Sequence, residues 1–507
     1  MKSHLFLFTF LICQTTVLAQ PGMLDSTFGT SGTVITHLFG TSAANALAVQ
    51  NDGKIVATGY VDVLGFQDLF VVRYFPNGML DTTFDGGTII SDINFTDETG
   101  NAIAIQTDGK IVVGGNFDAN TSEDFLLLRF RQNGLADSIF GIHGVVTSDF
   151  NNNSEDELHD VLVQPDDKIL ICGWTNGTDK DIALMRFNSS GTIDSTFGNN
   201  GRVSTDINNQ LQEARAMTTQ SDGKIVVAGL TQTPGSAANV ALFRYNTDGS
   251  LDSSFGTNGI VISIVSNYDD FATDVVLDSD GKILISGLTT DASQGIYNSL
   301  IMRFDSTGIL DNTFGIGGKV ILDINAMDNW SNSMLLQQDG KIIISGKSFQ
   351  VTDTDFLLAR FNSDGSIDNT FGNNGITVTN MANDHDECLA SAFQPDGSII
   401  LSGYYYDNIQ QGFILARYRN DSTITAVSQA AKNQFTLYPS PARQYVHLNM
   451  QHNLKAGVNI YDMYGALVGL YPVFENRIDV SSLKSGMYII QLDEVNKNRI
   501  AKFIIAR

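Results

Sequence analysis

A block of about 57 residues is written seven times in this chain, and that repetition restricts the fold more than any other feature. Its clearest mark is a Phe that follows an Asp: Phe28, Phe84, Phe140, Phe197, Phe255, Phe314 and Phe371. A fixed period of this size means a stack of like units, each burying its neighbour's face. A residue that returns in every unit holds the unit together, whereas a catalytic residue is needed once.

The second repeat shows what one unit is. Asn101–Gln106 alternates apolar and polar residues, as a half-buried strand does. Asp108-Gly109 is a tight hairpin signal, and Lys110–Gly115 is the return strand. Phe125–Phe130 makes a third strand, Asn133-Gly134 turns the chain towards Phe140-Gly141, and Val145–Thr147 is a short fourth strand. Four strands per unit without helical periodicity predict an all-β fold, a seven-bladed β-propeller. The hairpin recurs at Asp52-Gly53, Asp108-Gly109, Asp166-Asp167, Asp222-Gly223, Asp280-Gly281, Asp339-Gly340 and Asp396-Gly397. A Gly is expected to close the second strand of each unit (Gly59, Gly115, Gly173, Gly229, Gly287, Gly346, Gly403), and an Arg sits in each third strand. Arg129 with Asp124 exemplifies an expected recurring structural ion pair.

Small residues such as Ala46, Ala48, Ala102, Ala104, Ala390 and Ala392 place the strand before the hairpin nearest the crowded axis. The Gly-x-Val-x-Thr strand is then outermost. Its first copy, Thr33–Thr36, has no blade before it and is expected to complete the seventh, closing the ring with an N-terminal strand and covering an exposed edge.

Residues 1–19 read as a secretory signal: Lys2, an apolar run from Leu5 to Leu11, and small residues before Gln20. No later apolar run approaches the ~18 residues that span a bilayer. Cys172 and Cys388 fall in the third and seventh repeats and are expected to be separate buried thiols. The balance of 55 acidic against 30 basic residues, a net −25, argues against nucleic acid or an anionic membrane as partner and suits a cation or a neutral polar ligand.

The repeats end near Asn420; 420–433 reads as a linker and 434–507 as a small C-terminal β-sandwich. Within it stand Tyr438-Pro439-Ser440-Pro441, Ile460-Tyr461-Asp462 with Gly465, Leu483 leading to Gly486 and Tyr488, and Lys502-Phe503. In that order and spacing these residues resemble the C-terminal sorting domain of the type IX secretion system of Bacteroidetes, with Ser440 where Asn is usual and Arg507 where Lys is common. The resemblance implies type IX secretion machinery as partner, export across the inner and outer membranes, removal of the tail, and release or attachment to surface lipopolysaccharide. Residues 22–419 resemble the delta-60 repeat, through Asp-Gly-Lys-Ile…Gly and Arg-Phe…Leu-Asp-x-x-Phe-Gly. That resemblance implies a propeller-like scaffold and no single activity.

Two connections per blade are tight and share one face; the other two vary and lie opposite, where a ligand is expected. One variable set is acidic, and through Asp97, Asp156 and Asp386 it suggests calcium, a cation held by carboxylate and amide oxygens. Asp and Asn are also simply good turn formers. Tyr60, Trp174 and Tyr404 follow the recurring Gly in blades one, three and seven, where rings could stack on a sugar or pack beneath a loop. His143, His159 and His385 stand off the repeat pattern, and His385 lies in an acidic loop. The chain has no HExxH, GxSxG or GxxxxGK[ST] motif. The reading favoured is a secreted or surface-displayed scaffold, taken as a monomer, that binds a glycan or surface protein, with no catalytic residue assigned. The alternative is an extracellular polysaccharide hydrolase or lyase working at the variable face.

Overall fold

The computed structural model describes residues 20–421 except 94–95, 119–121, 152–153, 178, 292, 294, 352, 382–384 and 407–409, and then 436–438, 442, 444–449, 458–462, 467–474, 477–484, 486–494 and 497–505. The proposed signal and most of the linker lie outside these residues. Every regular element among the described residues is a strand. No helix among them is long and apolar enough to cross a membrane. The chain divides into two compact units between Asn420 and Asp421.

The first unit is a seven-bladed propeller. Blade one is Ser42–Val49, Ile55–Val63, Phe66–Tyr74 and Thr88–Ser91, antiparallel and paired in chain order. Five more sheets repeat this plan through Thr379. The seventh consists of Asp386–Phe393, Ile399–Tyr406, Gln411–Tyr418 and, on its outer edge, Thr33–Thr36. Thr33 pairs with Ala416 and Thr36 with Phe413, so the beginning of the repeat region closes the ring on its end. Asp25 strengthens the closure, its N–H donating to the Arg417 carbonyl at 2.8 Å. First strands of successive blades lie against one another, and Asp386–Phe393 returns to Ser42–Val49. The Ala-rich strands are therefore innermost, as their size requires.

No blade buries both its faces alone. Each of the seven junctions, including that between blades seven and one, holds its own apolar cluster. At the closing junction Phe70 stacks on Phe413 with centroids 4.7 Å apart. Cys172 and Cys388 are free and buried in different junctions.

The recurring Phe, Asp and Arg form one device. Every marker Phe is fully buried. The third-strand Arg lies over its ring, from 4.3 Å for Arg129 and Phe140 to 5.0 Å for Arg417 and Phe28. The same Arg pairs with the Asp before that Phe, as Arg73 with Asp81 at 2.9 Å and Arg417 with Asp25 at 2.7 Å. It also reaches the next blade: Arg186 donates to the Thr247 carbonyl at 2.7 Å and Arg303 to that of Ser363 at 2.6 Å. This corrects the expected pairing of Arg129, whose partner is Asp137 at 3.0 Å. Asp124 stands five residues away on the same strand, hence on its opposite face and roughly 16 Å off.

The recurring Gly of the second strand also has a different place from the one expected. It does not close the strand, which runs on to Val63 in blade one. It sits opposite a bulge that interrupts the inner strand of every blade, between Ala44 and Ala46 in the first. The bulge turns a carbonyl into the space where a side chain would begin: a Cβ on Gly59 would lie 1.8 Å from the Ala43 oxygen, and one on Gly346 1.9 Å from that of Trp330. In the third hairpin Asp167 adopts φ 61°, the conformation Gly takes in the other hairpins.

The second unit has two four-stranded sheets. One pairs Thr436–Tyr438, Tyr445–Asn449, Arg477–Asp479 and Val473–Phe474; the other pairs Leu467–Tyr471, Val458–Asp462, Gly486–Glu494 and Lys497–Ile505. Ala442, Val446, Ile460, Ile478, Leu483 and Ile490 share one core. Tyr438 ends the first strand, Asp462 is in register with Tyr488, and Lys502 with Ile489. Gly486 begins its strand, and the Tyr488 hydroxyl donates to the Lys484 carbonyl at 3.1 Å. Pro439, Pro441 and Gly465 lie outside the described residues.

Candidate functional site: an acidic cleft on the variable-loop face

Three chain segments meet at each blade junction on the variable face. They are the start of one blade's third strand, the loop after its outer strand, and the start of the next blade's inner strand. Between blades one and two they bring Asp68, Asp92 and Glu98 together, with one oxygen of each within 4.8 Å of the others. Between blades two and three Asp124, Asp149 and Asp156 meet in the same way. The corresponding residues are Asp181, Asp206 and Gln212 at the next junction, and Asn298, Asp323 and Asn329 at the fifth. At the sixth they are Asp355, Asn380 and Asp386, so among the described residues all three places hold carboxylates at the first two junctions.

The inner-strand residue also has a structural task. Glu98 accepts the Ile93 N–H at 3.2 Å and the Thr96 hydroxyl at 2.7 Å, Asp156 accepts the Phe150 N–H at 2.6 Å, and Asp386 accepts that of Met381 at 2.6 Å. Each pins the incoming loop. The residue before it ties down the preceding blade: Asp97 accepts the Gln67 N–H at 2.8 Å, and Glu155 that of Glu123 at 3.2 Å. Asp156 and Asp386 are therefore loop anchors at the start of two inner strands, whereas Asp97, one residue before a third, holds the preceding blade. Asp156 alone of these belongs to a described three-carboxylate group, and that group's chemistry, all oxygen and partly buried, fits calcium.

Burial and crowding raise the pKa of Glu98, Asp68 and Asp124. Burial, with the charges of Asp68 and Asp92, lifts Glu98 to about 7 against its bonds from Thr96 and Ile93. Burial raises Asp68, helped by Asp92 and Asp97, and Asp124, helped by Asp149 and Glu155. Beside them opens a cleft of about 380 Å³, lined by Gln67, Asp97, Asn116, Asp118, Glu123 and Glu155 among others. Burial and the neighbouring Glu157, Glu155 and Asp118 lift Glu123 to about 7. Asn116 is fixed by accepting the Leu158 N–H at 2.8 Å. The cleft offers carboxyl groups that accept or donate hydrogen bonds depending on their proton, held by a rigid frame.

The aromatic candidates do not form one site. Trp174 is buried, with the Lys180 ammonium 3.7 Å from its ring centroid. Tyr60 and Tyr404 stand on the adjacent blades one and seven, near enough for Tyr60 to help raise the Tyr404 phenol, after burial and Glu387. The Tyr404 hydroxyl donates to Glu387 at 2.9 Å, and Gln411 donates to the Tyr60 hydroxyl at 3.4 Å. His385 is exposed, its Nδ1 3.3 Å from the Thr354 hydroxyl. His143 adopts φ 58° in the turn before Val145.

Asp68 and Asp124 were not foreseen as parts of the acidic groups. The signal was present: each stands five residues before the invariant Arg, a position that holds Asp or Asn in six of the seven repeats.

Comparison with known proteins agrees with this architecture. Seven segments, 50–84, 106–140, 164–197, 220–255, 279–314, 337–371 and 394–424, match the domain of unknown function (DUF5122) beta-propeller. Residues 436–506 match the secretion system C-terminal sorting domain, which implies export and an extracellular or cell-surface location. No curated protein matches the chain. Among solved structures, PorZ of Porphyromonas gingivalis, described as an essential bacterial surface component of the type-IX secretion system, is similar at 13% identity and TM-score 0.42, over 92% of this chain and 59% of that one. The chain thus spans less than two thirds of PorZ. A PL25 ulvan lyase bound to -[GlcA(1-4)Rha3S]- is similar at 12% identity and TM-score 0.46, over 77% of this chain and 96% of the lyase. A Dyadobacter fermentans protein of unknown function is similar at 10% identity and TM-score 0.43, over 77% and 98%. The chain belongs to the DUF5122 β-propeller proteins and carries a type IX secretion sorting domain at its C-terminus.

Proposed function

We propose that the exported propeller is a binding scaffold that takes a glycan in the acidic cleft over blades one to three. The observation that carries this reading is the cleft itself: about 380 Å³, polar, and built on strands held from both neighbouring blades. Sugar hydroxyls donate readily to carboxylates, and a neutral glycan avoids the repulsion an anion would meet there. The sorting tail delivers the propeller through the type IX machinery, is then removed, and leaves it released or attached to the surface. A glycan array probed with the exported chain tests the reading. Binding is expected, and Glu123→Gln with Asp118→Asn weakens it; an array without a saturable ligand refutes it.

One observation favours a second reading, an extracellular polysaccharide hydrolase or lyase. Glu123, raised to about 7, is suited to give up a proton near neutral pH beside the carboxylates of Asp118 and Glu155. Release of reducing ends or unsaturated products from bound polysaccharide, abolished by Glu123→Gln, distinguishes this reading from binding alone.

A further inference from the structure

Four blades carry an Asp five residues before the recurring Arg: Asp68, Asp124, Asp181 and Asp355. Three of these carboxylates have a donor. Asp124 accepts the Ser122 hydroxyl at 3.1 Å, Asp181 that of Ser204 at 3.4 Å, and Asp355 the Asn380 amide. Asp68 differs. It is only 7% exposed, and among the described residues no hydrogen-bond donor and no cation meets it. What surrounds it is burial and the like charges of Asp92 and Asp97. A carboxylate withdrawn from water without a donor is costly unless a cation takes the place of the water.

The three segments that meet here leave a gap of ionic size. Asp68 lies in Phe66–Tyr74 of blade one, Asp92 directly follows Thr88–Ser91, and Glu98 opens Glu98–Ile105 of blade two. One oxygen of each lies within 4.8 Å of the others. Oxygens on opposite sides of a calcium ion stand about 4.6–5.2 Å apart, so three at this spacing can touch one ion at about 2.3–2.6 Å. Glu98 already accepts from Thr96 and Ile93, but each carboxylate oxygen has room for a second partner. Asp92 is exposed, which gives an ion a way in and leaves one side for water. The ligand set is all oxygen, carries three charges and stands on separate segments, which suits calcium; magnesium demands a tighter octahedron at about 2.0–2.1 Å.

We propose that Asp68, Asp92 and Glu98 hold one calcium ion between blades one and two. The ion ties the third strand of one blade to the inner strand of the next and gives Asp68 the partner that its counterparts find in the protein. Asp97 stands beside it, accepts the Gln67 N–H at 2.8 Å and lines the acidic cleft, so the ion also stiffens one wall of that cleft. The assignment does not depend on what the cleft binds.

Isothermal titration of the full chain, stripped with chelator and held at pH 8, tests the site with calcium and with magnesium. Calcium is expected to bind with a Kd of about 10⁻⁴–10⁻³ M, the range of extracellular modules, and magnesium about tenfold more weakly or less. Asp68→Asn and Asp92→Asn are each expected to remove one calcium per chain or to weaken it about tenfold or more. Both variants keep the fold, since Asn239 and Asn298 hold the Asp68 place in blades four and five and Asp92 is exposed. Melting temperatures in chelator check this, and Asp92→Asn decides alone if Asp68→Asn melts lower. Calcium binding unchanged in a folded variant overturns the site, even where Asp124→Asn weakens it. No binding at about 10 mM calcium also overturns it. Magnesium binding as tightly as calcium overturns the assignment to calcium.

Discussion

Replacing Glu98 with Gln should stabilise the propeller at pH 8 and leave its stability at pH 4 unchanged. Glu98 is fully buried, and its carboxyl titrates near 7 in the folded chain against an ordinary value of 4.5. Below 4.5 the group is protonated whether the chain is folded or not, and its contribution is complete. Between 4.5 and about 7 the unfolded chain gives up the proton while the folded chain keeps it, so stability falls as pH rises; above 7 the loss is constant. At about 1.4 kcal/mol per pH unit this interval caps the penalty near 3 kcal/mol. Relaxation of the site around the charged carboxyl reduces this, so the expected gain from Glu98→Gln at pH 8 is about 1–2 kcal/mol. The fold tolerates the change, because Gln212 occupies the same place before blade four and accepts the Ile207 N–H at 3.1 Å. Urea unfolding followed through Trp174 and Trp330 at pH 4 and pH 8 measures it. A variant less stable than wild type at pH 8, or an equal effect at both pH values, refutes the reasoning. Millimolar calcium should raise the wild-type midpoint at pH 8 and raise that of Glu98→Gln less; no rise removes calcium from this junction.

Arg360→Ala should destabilise the propeller by about 3 kcal/mol, because Arg360 is fully buried and pairs with Asp368 at 2.8 Å, a buried carboxylate left with Lys341 at 3.2 Å and the Thr370 N–H and hydroxyl; a loss below about 1 kcal/mol in chemical denaturation contradicts the bridging role. Gly346→Ala should cost more than about 2 kcal/mol, since its Cβ would stand 1.9 Å from the Trp330 carbonyl oxygen; an unchanged melting temperature would show that the bulge relaxes freely. Deleting residues 20–36 removes the buried Phe28 and bares the edge of Gln411–Tyr418, so the protein should lose its single unfolding transition and self-associate in size-exclusion chromatography. A monomer that still unfolds in one transition would show that the closing strand is dispensable.

What was legible in the sequence was local and repeated. Asp108-Gly109 and its counterparts announce hairpins through residues in contact along the chain, and the Phe28–Phe371 series counts the blades. Thr33–Thr36 was placed because only one blade lacked an outer strand. The partner of Arg129 was misread because Asp137 approaches only after the turn at Asn133-Gly134 brings the chain back. The bulge facing Gly59 depends on strand register, which no single strand reveals. The acidic groups escaped for a related reason: Asp68, Asp92 and Glu98 come from separate segments, each ordinary by itself, and become unusual when the blades stack.

The pairing of Thr33 with Ala416 also dictates an order of assembly. The partners are separated by 416 − 33 = 383 positions, so the lock cannot shut until the last blade has emerged and folded. Bringing ends so distant together costs roughly 5 kcal/mol of chain entropy in a flexible polymer. Stacking six blades first removes most of that cost by carrying the two halves of the seventh into register. A chain that stops before Gln411–Tyr418 has nothing for Thr33–Thr36 to pair with and remains an open arc.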